Sequence, residues 1–272
     1  NPAVAGLGPG GVELWRMRLI EKGIEPTTGM EFDWVEGGCF QMGDIFGEGD
    51  DDEEPTHEVC VDAFGMSKYE VTQGQWQKIM GNNPSKAAKG NNYPVERVSW
   101  NDTQGFIRNL NSLVGRSFRL PTEAEWEYAC RAGTATAYCS GNGLAALKRV
   151  GWCSYDGKLR SAGKPVGSFK ANGCELYDMH GNVWVWTEDV WHEHYKAAPT
   201  DGTAWTKGGD DIGRVVRGGS WYFHAKLCRS AYRIGTHHSN RDSDDGFRVV
   251  LLYRPKGLLP TKPGPKAPKQ RN

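Results

Sequence analysis

The chain has 272 residues, with Lys+Arg 33 balanced by Asp+Glu 33. A chain of this length buries roughly three-quarters of its unfolded surface, so it needs no disulfide staple, and its neutral balance gives no overall pull toward nucleic acid or membrane. No run approaches the ~20 apolar residues of a membrane span, and Gly 36 with few long periodic runs excludes a helical bundle.

The chain opens at Asn1 with neither Met nor a signal-peptide pattern, which reads as a processed or excised piece. Residues 1–28 form an extension with one short amphipathic helix, expected over Val12–Lys22. Regular structure is expected to begin at Met30, where residues 30–35 alternate like a half-buried strand. The acidic run Glu48–Glu54 (EGDDDEE) follows and reads as a solvated loop; a second alternating stretch, THEVCVDAFGMSKYEVT, comes next. Cys39 and Cys60 flank this strand–loop–strand unit and are the candidate disulfide. The Cys 7 form no CxxC pair, which argues against a zinc ribbon or a thioredoxin-type site, and an odd count leaves at least one thiol free.

Three helices are predicted. Thr72 caps the first, which runs through Trp76 and Ile79 to Gly81. Asn101 or Asp102 caps the second, with Phe106, Ile107, Leu110 and Leu113 at helical spacing. The third opens at Pro121-Thr122-Glu123-Ala124-Glu125, a capping box in which Thr122 and Glu125 satisfy each other's free N–H groups, and stops near Gly133. From Ala135 to Tyr253 the chain reads as loop with short strands, clearest at residues 215–217 and 247–252, while GNVWVW puts Trp184 and Trp186 on one core-facing strand side. Residues 254–272 form a basic Pro/Lys tail, expected to be disordered.

Three stretches in order, VSWNDTQGFIRNLNSLVGRSFRLPTEAEWEYACRAG, LYDMHGNVWVWTED and VVRGGSW…CRSAYR…GFRVV, resemble the formylglycine-generating (sulfatase-modifying factor) family. The resemblance covers residues 29–253 and implies an α+β fold: a loop-rich variant of the C-type-lectin fold with small antiparallel sheets and a few helices. It also implies a chemistry, oxidation of a substrate cysteine by copper held between two cysteines. The matching positions here are Phe223 and Cys228. Cu(I) needs paired thiolates, so catalysis is not expected to accompany the fold, and Cys228 reads as a small buried residue. A copper-dependent formylglycine-generating-type oxidase is the competing class.

Some members of that family bind calcium through the segment matching residues 178–185. Asp178 and the carbonyls of Gly181 and Val183 could serve here, but Val185 stands at the glutamate position and one hard oxygen is lost. No obligate cofactor is expected, with structural calcium left open. His192-Glu193-His194 and His237-His238 are the close histidine pairs, and no third metal ligand accompanies them.

The stretch from Arg217 to Arg248 has a firm frame, RGGSW at one end and GFR at the other, around an interior with no period. Its irregular residues are Tyr222, Phe223, His224, Leu227, Tyr232, Ile234, Thr236, His237, His238, Asp242, Asp244 and Asp245, and none is Lys, Glu, Gln, Met or Trp. Those are the residues that a codon ending in a pyrimidine cannot encode, whereas all the residues present can arise from an asparagine codon with randomised adenines. The arrangement is similar to the variable proteins of diversity-generating retroelements. It implies an exposed face of interchangeable side chains on a fixed backbone, with aromatic anchors inside a polar surround, as in a paratope. Arg229, Arg233, Arg241 and Arg248 read as scaffold, paired with carboxylates or carbonyls. The expected function is non-catalytic recognition of a protein or cell-surface ligand rather than nucleic acid, compatible with an extracellular or surface-displayed setting.

Overall fold

The computed structural model describes residues 23–115, 117–155 and 159–252. The helix expected over Val12–Lys22 and the basic tail from Arg254 lie outside the described residues.

Capping chemistry fixes the helix starts. At α1 (Gln73–Met80), the Thr72 hydroxyl accepts from the Gln75 N–H, the Gln75 side chain accepts from the Thr72 N–H, and Gly81 ends the helix in the left-handed region. α2 (Trp100–Val114) begins earlier than expected. Ser99 is its cap rather than Asn101 or Asp102, and the Asp102 carboxylate accepts from both the Ser99 N–H and its hydroxyl at 2.9 and 2.8 Å. The run Ser99, Asn101, Asp102 offers several capping side chains, and burial of Thr103, Phe106, Ile107 and Leu110 selects the register. α3 (Glu123–Arg131) carries the Thr122–Glu125 box.

A fourth helix, α4 (Gly143–Val150), lies where loop was expected. Its cap, Asn142, makes no side-chain bond to the helix, and its first residue is glycine, so the usual start signals are missing; Ala146, Leu147 and Val150 bury its one short face.

The strands form two four-stranded sheets and two ribbons. In the first sheet β1 (Phe32–Val35) pairs with β4 (Phe64–Ser67), and β12 (Val250–Leu251) is inserted between β4 and β5 (Phe118–Arg119), all antiparallel. The second runs β10 (Arg233–His237), β9 (Asp210–Arg217), β8 (Trp184–Trp191), β11 (Asp245–Phe247), with β11 parallel to β8. β2 (Gly38–Met42) and β3 (His57–Val61) are antiparallel and joined by a Cys39–Cys60 disulfide. β6 (Gly151–Trp152) and β7 (His180–Gly181) form a short parallel pair.

β8 is packed on both faces. Trp184 and Trp186 enter one core with Trp76, Phe106 and Phe247, whereas Val185 enters a second with Phe64 and Trp126. The acidic run is not a free loop throughout: Glu53 is buried and accepts two bonds from the Arg229 guanidinium, at 2.8 and 2.5 Å.

Between the second sheet and α3 lies a buried ionic network. Arg217, on β9, donates to Glu123 at 3.1 Å, to Glu127, and to the carbonyls of Ser230 and Ala231 at 2.7 and 2.9 Å. Arg233, on β10, grips both oxygens of Glu123 at 2.7 and 2.9 Å. Arg131 completes the chain by donating to Glu127 at 2.8 Å. Burial opposes ionisation of Glu123, yet Arg233 and then Arg217 hold its carboxyl below the usual range. Removing one member leaves a buried charge unmatched. Glu123→Ala should therefore lower unfolding free energy by about 3–5 kcal/mol in a urea titration, whereas exposed Glu58→Ala should change it by about 0.5 kcal/mol or less.

Candidate recognition surface

The segment expected to carry function is held first by its backbone. Gly218 and Gly219 both have positive φ, 96° and 76°. At Gly219 a Cβ would meet the Cys228 sulfur at 2.5 Å and the Leu227 carbonyl at 2.8 Å, so only glycine lets the chain pass. Within β10, Gly235 lies flat on the Trp191 ring, which a Cβ would meet at 2.4 Å.

The two ends of the segment are tied to each other. The Ser220 hydroxyl donates to Asp244 Oδ2 at 2.5 Å, the Trp184 N–H to the Asp244 carbonyl at 2.7 Å, and the Trp221 N–H to the Asn182 carbonyl at 2.9 Å. Arg248 is fully buried and donates to the carbonyls of Ser67, Lys68 and Tyr177. The scaffold arginines thus sit as expected: Arg229 on Glu53, Arg233 on Glu123, Arg241 on Asp102 and Arg248 on backbone oxygens.

Between these ties, alternate side chains turn outward. Tyr222 is 46% exposed and Ile234 36%; His224, His237 and Asp242 are also exposed, with Thr236 and His238 half-buried. Phe223, Leu227 and Tyr232 are half-buried and packed on the first core; Phe223 and Tyr232 rest on Trp184, with ring centres 5.7 and 6.1 Å away. They form the floor of the surface. The turn after β10 is docked on the start of α2: the Asn101 N–H donates to the His238 carbonyl at 3.3 Å, the Arg97 N–H to the Asp242 carbonyl at 3.0 Å, and Arg241 pairs with Asp102 at 2.6 Å.

Two expectations fail. Asp244 and Asp245 are not rim contacts but are 8% and 4% exposed. Asp244 is the tie to Ser220, and Asp245 heads β11, where its carboxylate accepts from the Asp242 N–H at 3.3 Å. Burial, then Asp244 and Asp242 close by, push the Asp245 carboxyl up to about 7. Sequence reasoning also missed neighbours of the surface. Ile212, 51% exposed, sits beside His238, whose N–H donates to the Ile212 carbonyl at 2.9 Å. The acidic segment borders it through the Lys226–Asp50 pair at 3.2 Å. Neither carries a local sequence signal, since both contacts join distant parts of the chain.

The sulfur pair that the resemblance implies is not formed by Phe223 and Cys228. Phe223 offers no sulfur, and Cys228 is completely buried, as is Cys153 in the same small cluster with Tyr138 and Leu147. The fold instead sets Cys228 against the Cys153 thiol: a hydrogen bond between them, then burial, raises Cys228 well above the ordinary thiol range in the metal-free protein.

The calcium candidates fit no better. Asp178 is buried and accepts from the Gly167 N–H at 2.7 Å, and Glu70 is occupied by Asn182 Nδ2 and the Val183 N–H at 2.5 and 3.1 Å. The guanidinium of Arg248 acts on both carboxylates, so a positive charge already faces them. Gly181 lies on β7 and Val183 just before β8, where the Val183 N–H is bonded to Glu70. His192 is stacked on Trp205 with both ring nitrogens at carbonyl oxygens, apart from exposed His194.

Fold and surface together define a mixed α+β, C-type-lectin-like scaffold presenting one ordered loop face. The chain belongs to the sulfatase-modifying factor enzyme 1-like domain family, whose model matches residues 21–252. It is 32% identical to a formylglycine-generating enzyme of Streptomyces coelicolor, over 77% of this chain and 84% of that one. Among solved structures it is similar to PvdO from Pseudomonas aeruginosa, with a TM-score of 0.74 and 30% identity over 83% of this chain and 95% of that one. It is also similar to Treponema denticola variable protein 1, with a TM-score of 0.73 and 28% identity over 82% and 95%.

Burial separates the two kinds of position energetically. Tyr222→Ala and His237→Ala should each change unfolding free energy by about 0.5 kcal/mol or less, while Asp244→Ala, which strands the Ser220 hydroxyl, should cost about 1–3 kcal/mol. Because the folded Asp245 pKa lies above its unfolded value, its contribution to stability is present at acid pH and lost as pH rises from about 4 to about 7. Asp245→Asn should therefore gain on the wild type in melting temperature between pH 5 and pH 8; an unchanged difference refutes the assignment.

Proposed function

We propose that this chain is a non-catalytic ligand-binding module. Its contacts are Tyr222, His224, Ile234, Thr236, His237, His238 and Asp242, standing on a floor of Phe223, Leu227 and Tyr232. The observation that carries the reading is the sorting of one 32-residue stretch, 217–248, into buried ties and outward side chains that make few bonds to the body. Rigid aromatic and imidazole groups on a fixed backbone lose little entropy on binding. The partner is a protein or a cell-surface ligand. Similarity to a solved variable protein and the codon-compatible residue set support a diversified surface of the retroelement type.

The competing reading, a copper-dependent oxidase, draws on the likeness to formylglycine-generating enzymes. Titration with Cu(I) separates the two: the binding module should take up no stoichiometric copper, and uptake abolished by Cys228→Ser would defeat it. For display, a pool in which the seven contact positions are randomised together should remain largely folded, with melting within a few degrees of wild type. A pool that mostly unfolds sinks the proposal. Diversification makes a genetic demand as well, namely a nearby reverse transcriptase and a near-repeat of the 222–245 coding region that differs opposite template adenines.

A further inference from the structure

The recognition surface leaves a second feature unused. Although the chain is neutral overall, residues 148–170 contain Lys148, Arg149, Lys158, Arg160, Lys164 and Lys170 against Asp156 alone. Among the described residues, no carboxylate pairs with Lys148, Arg149, Lys164 or Lys170.

These cations are held in place by aromatic rings. The Lys164 ammonium lies 4.6 Å and the Arg160 guanidinium 4.7 Å from the Trp152 ring centre, and Lys148 lies 5.1 Å from that of Tyr155. Trp152 stacks on Phe169 at 6.2 Å, and the Lys170 N–H bonded to the Arg149 carbonyl at 3.0 Å ties the loop to the end of α4. Apolar side chains stand beside the charges: Leu159 is 64% exposed, next to Arg160, and Leu144 is 40% exposed, one helical turn before Lys148.

We propose that this face docks the domain peripherally on an anionic lipid bilayer. Basic groups attract the headgroups, Trp and Tyr suit the interface, and exposed leucines gain by entering the acyl boundary. A soluble polyanion would use the cations but not the leucines, and the cations already lying over Trp152 and Tyr155 obstruct base stacking by a single-stranded nucleic acid. This mode requires no spanning segment, and among the described residues no helix is long and apolar enough to cross a membrane. It stands independently of the recognition reading, although Ser154 joins the patch to His224 through a β-bridge.

The test is sedimentation of the protein with vesicles of phosphatidylcholine alone or mixed with phosphatidylserine. The wild type should pellet with the mixed vesicles only and be released by salt. Lys148→Gln/Lys164→Gln should weaken binding about thirty-fold, from roughly 1 kcal/mol per charge near the surface, and Leu159→Ser should weaken it further. The equally charged Lys196→Gln/Lys207→Gln control should bind as wild type. Failure of the wild type to pellet with mixed vesicles overturns the proposal, and so does equal loss in the two double variants. Capture by heparin or by a DNA homopolymer without vesicle binding also overturns it, in favour of a soluble polyanion.

Discussion

The buried pairing of Arg217 and Arg233 with Glu123 and Glu127 is the constraint on which the candidate surface depends. Both arginines belong to the strands β9 and β10, and both glutamates to α3, so the network sets the position of the sheet edge relative to the helix. Buried ion pairs are weak sources of net stability, because desolvation offsets most of the Coulomb gain, but they are unforgiving of misplacement. A shifted strand would strand a charge in the interior. Ile234, Thr236 and His237 lie on the same strand without joining the network, and Arg233 ties that strand to α3.

The residues under the loop bear on how this chain compares with the formylglycine-generating enzymes it resembles. Phe223, at the position where the family resemblance implies a reactive sulfur, packs on Trp184 and lies under the surface. Cys228 is enclosed against Gly219, where a Cβ would meet its sulfur at 2.5 Å. A shared scaffold can thus serve display or chemistry according to whether the layer under the loop is packed or open.

Much of the architecture was legible in the sequence where the signal is local. The Thr72 and Thr122 boxes, the Trp184 and Trp186 alternation and the glycine frame all follow from neighbours in the chain. The misses are of the opposite kind. α4 lacks a side-chain cap and begins at glycine, so its start carries no local signal, although LAALKR is a run of good helix formers whose one face is buried by Leu147 and Val150. Glu53 looked solvated because its partner, Arg229, is 176 residues away. Asp244 and Asp245 shared the composition of the exposed set, and composition does not reveal that Ser220 and β8 claim them.

The Ser220–Asp244 bond and the docking of His238 and Asp242 on α2 anchor the turn after β10 on both sides. A longer chain between those anchors would leave them in place. For a loop with fixed ends, each doubling costs only about 0.6 kcal/mol of closure entropy. An insertion between residues 238 and 242 that kept the His238 and Asp242 contacts would lengthen the outward loop without moving the sheet.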